Sequence, residues 1–226
     1  MLGNTKLHYI NFANEIFEEQ QKSLLYKYKM SGFNVTGYTQ NDIDDTFMSE
    51  NIDILSCKRG CGYWLWKPYL ILKKLNEVDN GDVVFYTDCG DDLRNDIKTY
   101  LLEHFYDNNM LIIKNRFSHL QYTKKDCFDL MNCNENKFFE TKQMEAGVCG
   151  FKKCDESISF VKEWLSYCMI PNIINDNYES INHSSFIDHR HDQSILTNLV
   201  IKNNIKTIDI EHIEKYISYG SLKKIE

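Results

Sequence analysis

The sequence predicts an α/β protein built on one mostly parallel sheet flanked by helices, and three observations favour that class. Short apolar runs alternate with segments of helical periodicity along most of the 226 residues. One run, 83–87, is continuously apolar and β-branched, as in a strand that is buried on both faces. The 2 prolines and 10 glycines are too few for an all-β protein that turns about every ten residues. Because a domain usually takes about 100 to 200 residues, we expect a single domain over residues 1–226.

The individual elements follow from this alternation. Strands are predicted at 7–12, 33–38, 83–87, 110–113, 145–151 and 205–210. Apolar residues recur at helical spacing over 13–31, 66–80, 97–105, 158–168 and 195–200. Gly32, Gly81 and Pro171 are expected to end three of these helices. The polar segments 40–51 and 172–185 are predicted as loops, and a loop as long as the second one is often functional.

Charge and hydropathy exclude several classes of partner. With 33 acidic and 26 basic residues, the formal charge of −7 opposes a nucleic acid or an anionic membrane as the main partner. The first twelve residues lack the apolar stretch of a signal peptide. The longest mainly apolar window, 63–72, is far shorter than the ~20 residues of a membrane-spanning helix. We therefore expect a soluble, cytoplasmic protein without a transmembrane segment, which binds any anionic ligand through a local basic patch.

An acidic turn follows the strand 83–87. Asp88 stands at its carboxyl end, and Cys89, Gly90, Asp91 and Asp92 follow. Ligands of open α/β sheets bind outside the carboxyl ends of the strands, so Asp88 and Asp91 are candidate ligands of a divalent cation that holds a diphosphate. The alternative is an ordinary acidic turn in which Asp92 or Asn95 caps the next helix.

A second candidate segment, 58–68, combines cations, glycines and aromatic residues. Lys58, Arg59 and Lys67 could neutralise phosphate charge, and Gly62 would let the backbone approach a ligand closely. Its aromatic residues, which include Tyr63 and Trp66, offer faces on which a base or a sugar ring can stack. The alternative, equally supported by these residues, is an aromatic segment that packs into the core before a helix.

A third group lies at 188–192, where Asp188 and Asp192 flank two histidines. His189 and His191 are candidate metal ligands, and Asp192 is a candidate catalytic carboxylate. A plain helix N-cap at Asp192 explains the same residues, so composition alone leaves the choice open.

Together these segments resemble a known family. The resemblance is carried by Gly62-Tyr63-Trp64-Leu65-Trp66-Lys67-Pro68, Tyr86-Thr87-Asp88-Cys89-Gly90 and His189-Arg190-His191-Asp192-Gln193-Ser194. In this order they are similar to the small GT-A-type glycosyltransferases of bacterial polysaccharide clusters and large DNA viruses. Those enzymes use nucleotide-diphospho-sugar donors and have a Rossmann-like sheet. The resemblance covers about residues 7–199.

The resemblance implies a division of roles. It predicts a nucleotide-sugar donor, UDP-linked first of all, and a glycan or protein acceptor. Asp88 stands where related enzymes carry a D-x-D metal motif, but Gly90 replaces the second aspartate, so Mn²⁺ or Mg²⁺ would depend on Asp88 with Asp91 or a residue elsewhere. Asp192 and Gln193 are predicted beside the reacting sugar carbon, within about 10 Å of Asp88 and accessible from the cleft.

Two other functional classes stay open on the sequence. A sugar nucleotidyltransferase could share the sheet and the acidic site, but a glycine-rich phosphate loop is expected after its first strand, and residues 11–14 contain no glycine. A noncatalytic nucleotide- or carbohydrate-binding protein is the other class, because a degenerate enzyme would also show an incomplete metal motif.

Overall fold

The computed structural model describes residues 5–220, so the predicted domain, 1–226, extends past the described residues at both ends. The strands are β1 (Leu7–Phe12), β2 (Asn34–Tyr38), β3 (Val83–Thr87), β4 (Asp92–Leu93), β5 (Met110–Ser118), β6 (Lys142–Lys152), β7 (Ile208–Asp209) and β8 (Ile217–Ser218). The helices are α1 (Glu18–Met30), α2 (Asp45–Glu50), α3 (Ile52–Leu55), α4 (Gly60–Tyr63), α5 (Trp66–Glu77), α6 (Lys98–Asp107), α7 (Lys125–Leu130), α8 (Asn136–Phe139), α9 (Asp155–Cys168), α10 (Pro171–Ile174) and α11 (Asp192–Lys202). Short 3₁₀ turns cover Glu15–Phe17, Gln40–Asp42 and Ile210–His212.

One six-stranded sheet organises these elements, with the strand order β2-β1-β3-β6-β5-β7. Strand β6 is antiparallel to both of its neighbours, β3 and β5, whereas the other three pairings are parallel. Five strands therefore run in one direction and β6 alone is reversed. The predicted α/β class with a mostly parallel sheet is confirmed.

The helices cover both faces of the sheet, as the side-chain alternation of β3 shows. Val83 and Phe85 pack into the core that contains the apolar faces of α1 and α6. Val84 and Tyr86 pack into the core formed with α5, α9 and α11. All four side chains are buried, and each large apolar one stabilises the fold by about 1.5–3 kcal/mol. The prediction that this strand is buried on both faces is confirmed.

Two segments differ from their predicted structures. The segment 40–51, predicted as a loop, contains α2, whose N-cap carboxylate, Asp44, accepts hydrogen bonds from the backbone N–H groups of Thr46 and Phe47. This helix buries none of its side chains, so it leaves no periodic apolar pattern in the sequence. The strand predicted over 205–210 is limited to the two residues of β7, because a 3₁₀ turn begins at residue 210.

The long polar loop after α9 is fastened to the start of α7. The ammonium group of Lys124 donates hydrogen bonds to the carbonyl oxygens of Asn175 and Asn177. The carboxylate of Asp126 accepts the backbone N–H groups of Glu179 and Ser180. These bonds hold the loop against the domain and fix the path of the chain toward α11.

The helices of the described part are short relative to a lipid bilayer. Within residues 5–220 none combines the length and the apolar character that crossing a membrane requires. Even α9, with 14 residues, falls short of the ~20 that span the hydrocarbon layer.

Candidate functional site

One edge of the sheet collects the ends of several strands. The parallel strands β1 and β3 end there, and the reversed strand β6 passes the end of β3, since Thr87 pairs with Val148; the first part of β6 and the last part of β5 extend beyond it, with Lys142 paired to Ser118. Asp88 and Gly90 follow β3 at this edge, and both are half-buried. Because ligands of open α/β sheets bind outside this edge, it is the candidate site.

Three residues that are distant in the sequence meet at this edge. The Nζ atom of Lys67 lies 3.3 Å from Oδ1 of Asp88 and 3.2 Å from Oδ2 of Asp192. Two carboxylates that contact the same ammonium group are separated by much less than the predicted distance of about 10 Å. The predicted proximity of Asp88 and Asp192 is therefore confirmed.

The three side chains differ sharply in exposure. Asp88 is 38% exposed, whereas Lys67 and Asp192 are 3% and 4% exposed. The prediction that Asp192 is accessible from the cleft is wrong, because its carboxylate lies behind Lys67. The N-cap residue of α11 is His191, so Asp192 stands at the first helical position and does not occupy the predicted N-cap position. Asp88 is the member of the group that a ligand can reach.

For Lys67 and Asp192, burial and the neighbouring opposite charge shift the pKa in opposite directions. Burial alone would lower the pKa of Lys67, but Asp192 and Asp88 together raise it above its usual range, so the ammonium stays charged. Burial raises the pKa of Asp192 to about 7, although Lys67 opposes that shift. Removing one partner from a buried ion pair is costly, so these residues depend on one another.

Helix α11 carries Asp192 as its first residue and is docked firmly on β6. The amide of Gln193 donates to the side-chain carbonyl of Gln143 at 2.6 Å, and the hydroxyl of Thr197 accepts the backbone N–H of Met144 at 2.9 Å. Gln193, predicted as a hydrogen-bonding partner beside the sugar, is thus engaged with β6. These bonds place the start of α11 at the carboxyl edge of the sheet.

The element α4 and the following Trp64 form a left-handed turn rather than a regular α-helix, since all five residues from Gly60 to Trp64 have positive φ. At Gly62, with φ 99°, a Cβ atom would lie 2.7 Å from Cα of Leu55, so only glycine fits this turn. Left-handed backbone costs non-glycine residues about 1–2 kcal/mol each and persists only where the surroundings enforce it. The turn directs the chain into α5 and brings Lys67 to the edge.

The aromatic residues of this segment pack inside the protein. Trp66 is 4% exposed, stacks on Phe12 at 3.9 Å, and donates its indole N–H to the carbonyl of Gly60. The ring of Tyr63 is half-buried and stacks on His191 at 4.8 Å. The core-packing alternative therefore describes Trp66 and Gly62, while Tyr63 keeps a partly open face.

Two of the three predicted phosphate-binding cations are committed to carboxylates. Lys67 is buried between Asp88 and Asp192, as described above. Arg59 is paired with Asp176 at 3.1 Å and Asp188 at 2.7 Å. Lys58 is exposed. The basic patch predicted from the sequence is therefore largely neutralised by neighbouring acids.

Sequence reasoning missed two residues of the site, Glu145 and Gly147 of β6. A Cβ atom on Gly147 would lie 2.9 Å from Oε1 of Glu145 and 3.0 Å from Oδ2 of Asp88, so the two carboxylates approach each other across this glycine. The Gly147 N–H donates to Glu145, and burial raises the pKa of that carboxyl above its usual value. The pairing of β5 with β6 is irregular between residues 145 and 150, as is common beside active sites. No sequence motif marks this pair.

Among the four predicted metal ligands, the two histidines do not fit a metal centre, and Asp91 is buried. One oxygen of Asp91 accepts the backbone N–H of Gly220. His189 is fully buried, with one ring nitrogen facing the carbonyl of Ile173 and the other the backbone N–H of Lys124. His191 is also buried, with Nδ1 against a backbone carbonyl, and burial lowers its pKa to about 4. Across residues 5–220, no three His, Cys, Asp or Glu side chains are grouped as a metal site.

Several solved structures resemble this chain in the course of the backbone, at 10–12% sequence identity. Neither a protein-family model nor a curated protein matches the sequence. Mouse xyloside xylosyltransferase 1 is 12% identical, with 90% of this chain and 83% of that chain covered at a TM-score of 0.48. A glycosyltransferase involved in glycosylation of the major capsid of PBCV-1 is 10% identical, with 95% and 93% covered at 0.48. The bifunctional glycosyltransferase WbbM is 10% identical, with 92% and 39% covered at 0.48. Similarity of this degree assigns no function to the chain.

Proposed function

We propose that this protein is a glycosyltransferase that moves a sugar from a nucleotide-diphospho-sugar, a UDP-sugar first of all, to a hydroxyl group of a glycan or protein acceptor. One observation carries the proposal: Lys67, Asp88 and Asp192 form a single charged contact at the carboxyl edge of the sheet. Each comes from one of the three segments that carry the family resemblance. Those segments are far apart in the sequence, and a shared site explains why the fold brings them together.

Because the site is acidic, we expect the diphosphate of the donor to bind together with a divalent cation. Lys67 is already balanced by Asp88 and Asp192, and the carboxylate of Glu145 lies beside them. A bare diphosphate would be repelled by this acidic edge. Mg²⁺ and Mn²⁺ in nucleotide sites are typically held by one or two carboxylates together with phosphate oxygens, and Asp88 with Glu145 fits that donor set. The cation would neutralise charge that grows on the leaving diphosphate.

The remaining residues have supporting roles in this proposal. Asp88, the carboxylate that a ligand can reach, contacts the donor, and Gly90, two residues after it and half-buried, is a donor contact as well. Lys58 and the open face of Tyr63 lie on the segment that precedes α5 and are donor contacts in this proposal. Asp192 does not contact the donor in this proposal; its carboxylate holds Lys67, which in turn contacts Asp88. Each of these roles is compatible with an inverting or a retaining reaction.

Nucleotide binding is the first test of this function. We expect UDP with Mn²⁺ to raise the melting temperature by roughly 5–10 °C at a hundredfold excess over its dissociation constant, because binding to the native state alone contributes about 2.7 kcal/mol there. The same assay with UMP and with the other nucleoside diphosphates identifies the base and the need for the second phosphate. If no nucleoside diphosphate stabilises the protein, with or without Mn²⁺, the proposal fails. Slow hydrolysis of one donor in a panel of nucleotide sugars then identifies the sugar.

The replacement Gly147→Ala tests whether the edge between Asp88 and Glu145 is the cation site. The new methyl group would lie about 3 Å from both carboxylates, so both must move. We expect Mn²⁺ affinity, measured by calorimetric titration in the presence of UDP, to fall at least about tenfold. Gly150→Ala is the matched control, because Gly150 lies on the same strand and its Cβ atom would also meet a side chain at 2.9 Å, but that side chain is the ring of Phe105 rather than a carboxylate. Unchanged Mn²⁺ affinity in Gly147→Ala would place the cation elsewhere.

A further inference from the structure

Lys67 has the features of an internal support rather than of a ligand-binding cation. Its ammonium group is 3% exposed and contacts two carboxylates. It also lies 5.3 Å from the ring centre of Tyr86 and 5.8 Å from that of Trp66, so aromatic faces close the remaining directions. A diphosphate could reach this ammonium only if Asp88 moved away.

The contacts of Asp88 divide its two carboxylate oxygens between different tasks. Oδ1 accepts the hydroxyl of Tyr86 at 2.6 Å and lies 3.3 Å from the ammonium of Lys67. Oδ2 borders Gly147, on the side where Glu145 also approaches. The hydrogen bond from Tyr86 and the ion pair with Lys67 hold Oδ1 and thereby fix the rotation of the carboxylate, and that rotation decides where Oδ2 points.

Asp192 completes this arrangement from inside the protein. Its carboxylate is buried and lies on the other side of the ammonium, 3.2 Å from it. Helix α11 is tied to β6, so this partner is held in place by the fold. The three charged groups therefore form a chain that runs from a fixed interior carboxylate, through Lys67, to the exposed Asp88.

We propose that Lys67 is a positioning residue: anchored by buried Asp192, it holds Oδ1 of Asp88 together with Tyr86 and so presents Oδ2 to the donor complex. This role rests on the proposed transferase function and assigns to Lys67 no contact with the diphosphate. In this role Lys67 determines the rate of transfer but contributes little to the affinity for the nucleotide.

Kinetics and nucleotide affinity separate this role from a direct phosphate contact. In Lys67→Met we expect kcat to fall at least about 50-fold while the Kd of UDP measured with saturating Mn²⁺ changes less than about threefold. Tyr86→Phe, which keeps the ring and removes the bond to Oδ1, is expected to lower kcat roughly tenfold, also without loss of UDP affinity. Lys74→Met, in the last turn of the same helix and paired with Glu77, is the control and keeps wild-type kinetics. A tenfold or larger weakening of UDP binding in Lys67→Met, or a kcat within twofold of wild type, overturns the proposal.

A double-mutant cycle tests the anchoring contact independently of catalysis. Lys67→Met leaves two acidic side chains without their shared cation, so we expect its melting temperature to fall by about 10 °C. Adding Asp192→Asn to that variant is expected to recover at least half of the loss, because one unbalanced carboxylate is removed. Additive losses would show that Asp192 does not anchor Lys67. If wild-type protein binds no nucleoside diphosphate while the cycle shows coupling, the transferase function fails and the anchoring contact stands.

Discussion

Asp88→Asn is expected to lower kcat/KM for the UDP-sugar by at least about 1000-fold while leaving the melting temperature unchanged or slightly higher. The exposed carboxylate loses the charge with which it would hold the donor complex, and electrostatic groups in active sites contribute effects of this size. Asparagine keeps an oxygen at the Oδ1 position, so it can still accept the hydroxyl of Tyr86, and Lys67 keeps its other carboxylate partner, Asp192. Functional charges are often held at some cost to stability, which is why the variant is not expected to unfold more easily. Initial rates and a thermal scan on the same preparation measure both quantities.

The opposite end of the same strand supplies the control for this variant. Asp79 precedes β3, is exposed, and is paired with Lys6 on the surface. Asp79→Asn makes the same chemical change away from the site, and we expect wild-type kinetics from it. If the Asp88→Asn variant has a much lower melting temperature than the wild type yet keeps its activity per folded molecule, Asp88 only stabilises the turn.

The strands and longer helices were predictable because each buries a regular apolar pattern. The run 83–87 is fully buried between two helical layers, and its composition predicts that position. Helix α2 was not predictable in this way, since it buries none of its side chains and is defined by the N-cap at Asp44. The one available signal is an acidic residue before a weakly patterned segment, and this pattern is also typical of a loop.

The site was predictable only in its motif-bearing residues. The segments containing Lys67, Asp88 and Asp192 have distinctive sequences, and the structure brings these three residues together. Glu145 and Gly147 carry no motif. Their place depends on the reversed strand β6 and on an irregular pairing with β5, both of which are tertiary features. A carboxylate beside a glycine in a predicted strand was the one available hint.

The two histidines show why metal-ligand composition misleads. His189 and His191 stand next to a catalytic candidate, but both rings are buried and bonded to backbone carbonyls of α10. Burial lowers the pKa of both side chains, so they stay neutral and act as packing and hydrogen-bonding groups. The sequence shows which atoms of a residue could bind a metal, but it does not show whether those atoms already have hydrogen-bond partners in the fold.

Asp192→Asn is expected to lower kcat by at least about 100-fold while changing the affinity for UDP less than about threefold. The substitution keeps the shape of the side chain but removes the charge that fixes Lys67, and the consequence reaches the donor through Asp88. Because Asp192 itself is 4% exposed, it makes no contact on which nucleotide binding depends. Steady-state kinetics and calorimetric titration with UDP separate the two effects. A loss of affinity that matches the loss of rate would mean that Asp192 contacts the donor directly.

The same residue predicts the pH dependence of the reaction. Burial raises the pKa of Asp192 to about 7, so its carboxylate is protonated below that pH and charged above it. Only the charged form holds Lys67, and kcat of the wild-type protein is therefore expected to rise with pH through about 7. In Asp192→Asn this rise should disappear, leaving a low and nearly constant rate over the same range. If the variant keeps the wild-type pH profile at a lower rate, the titrating group lies elsewhere, and Glu145, whose pKa burial also raises, is the next residue to replace.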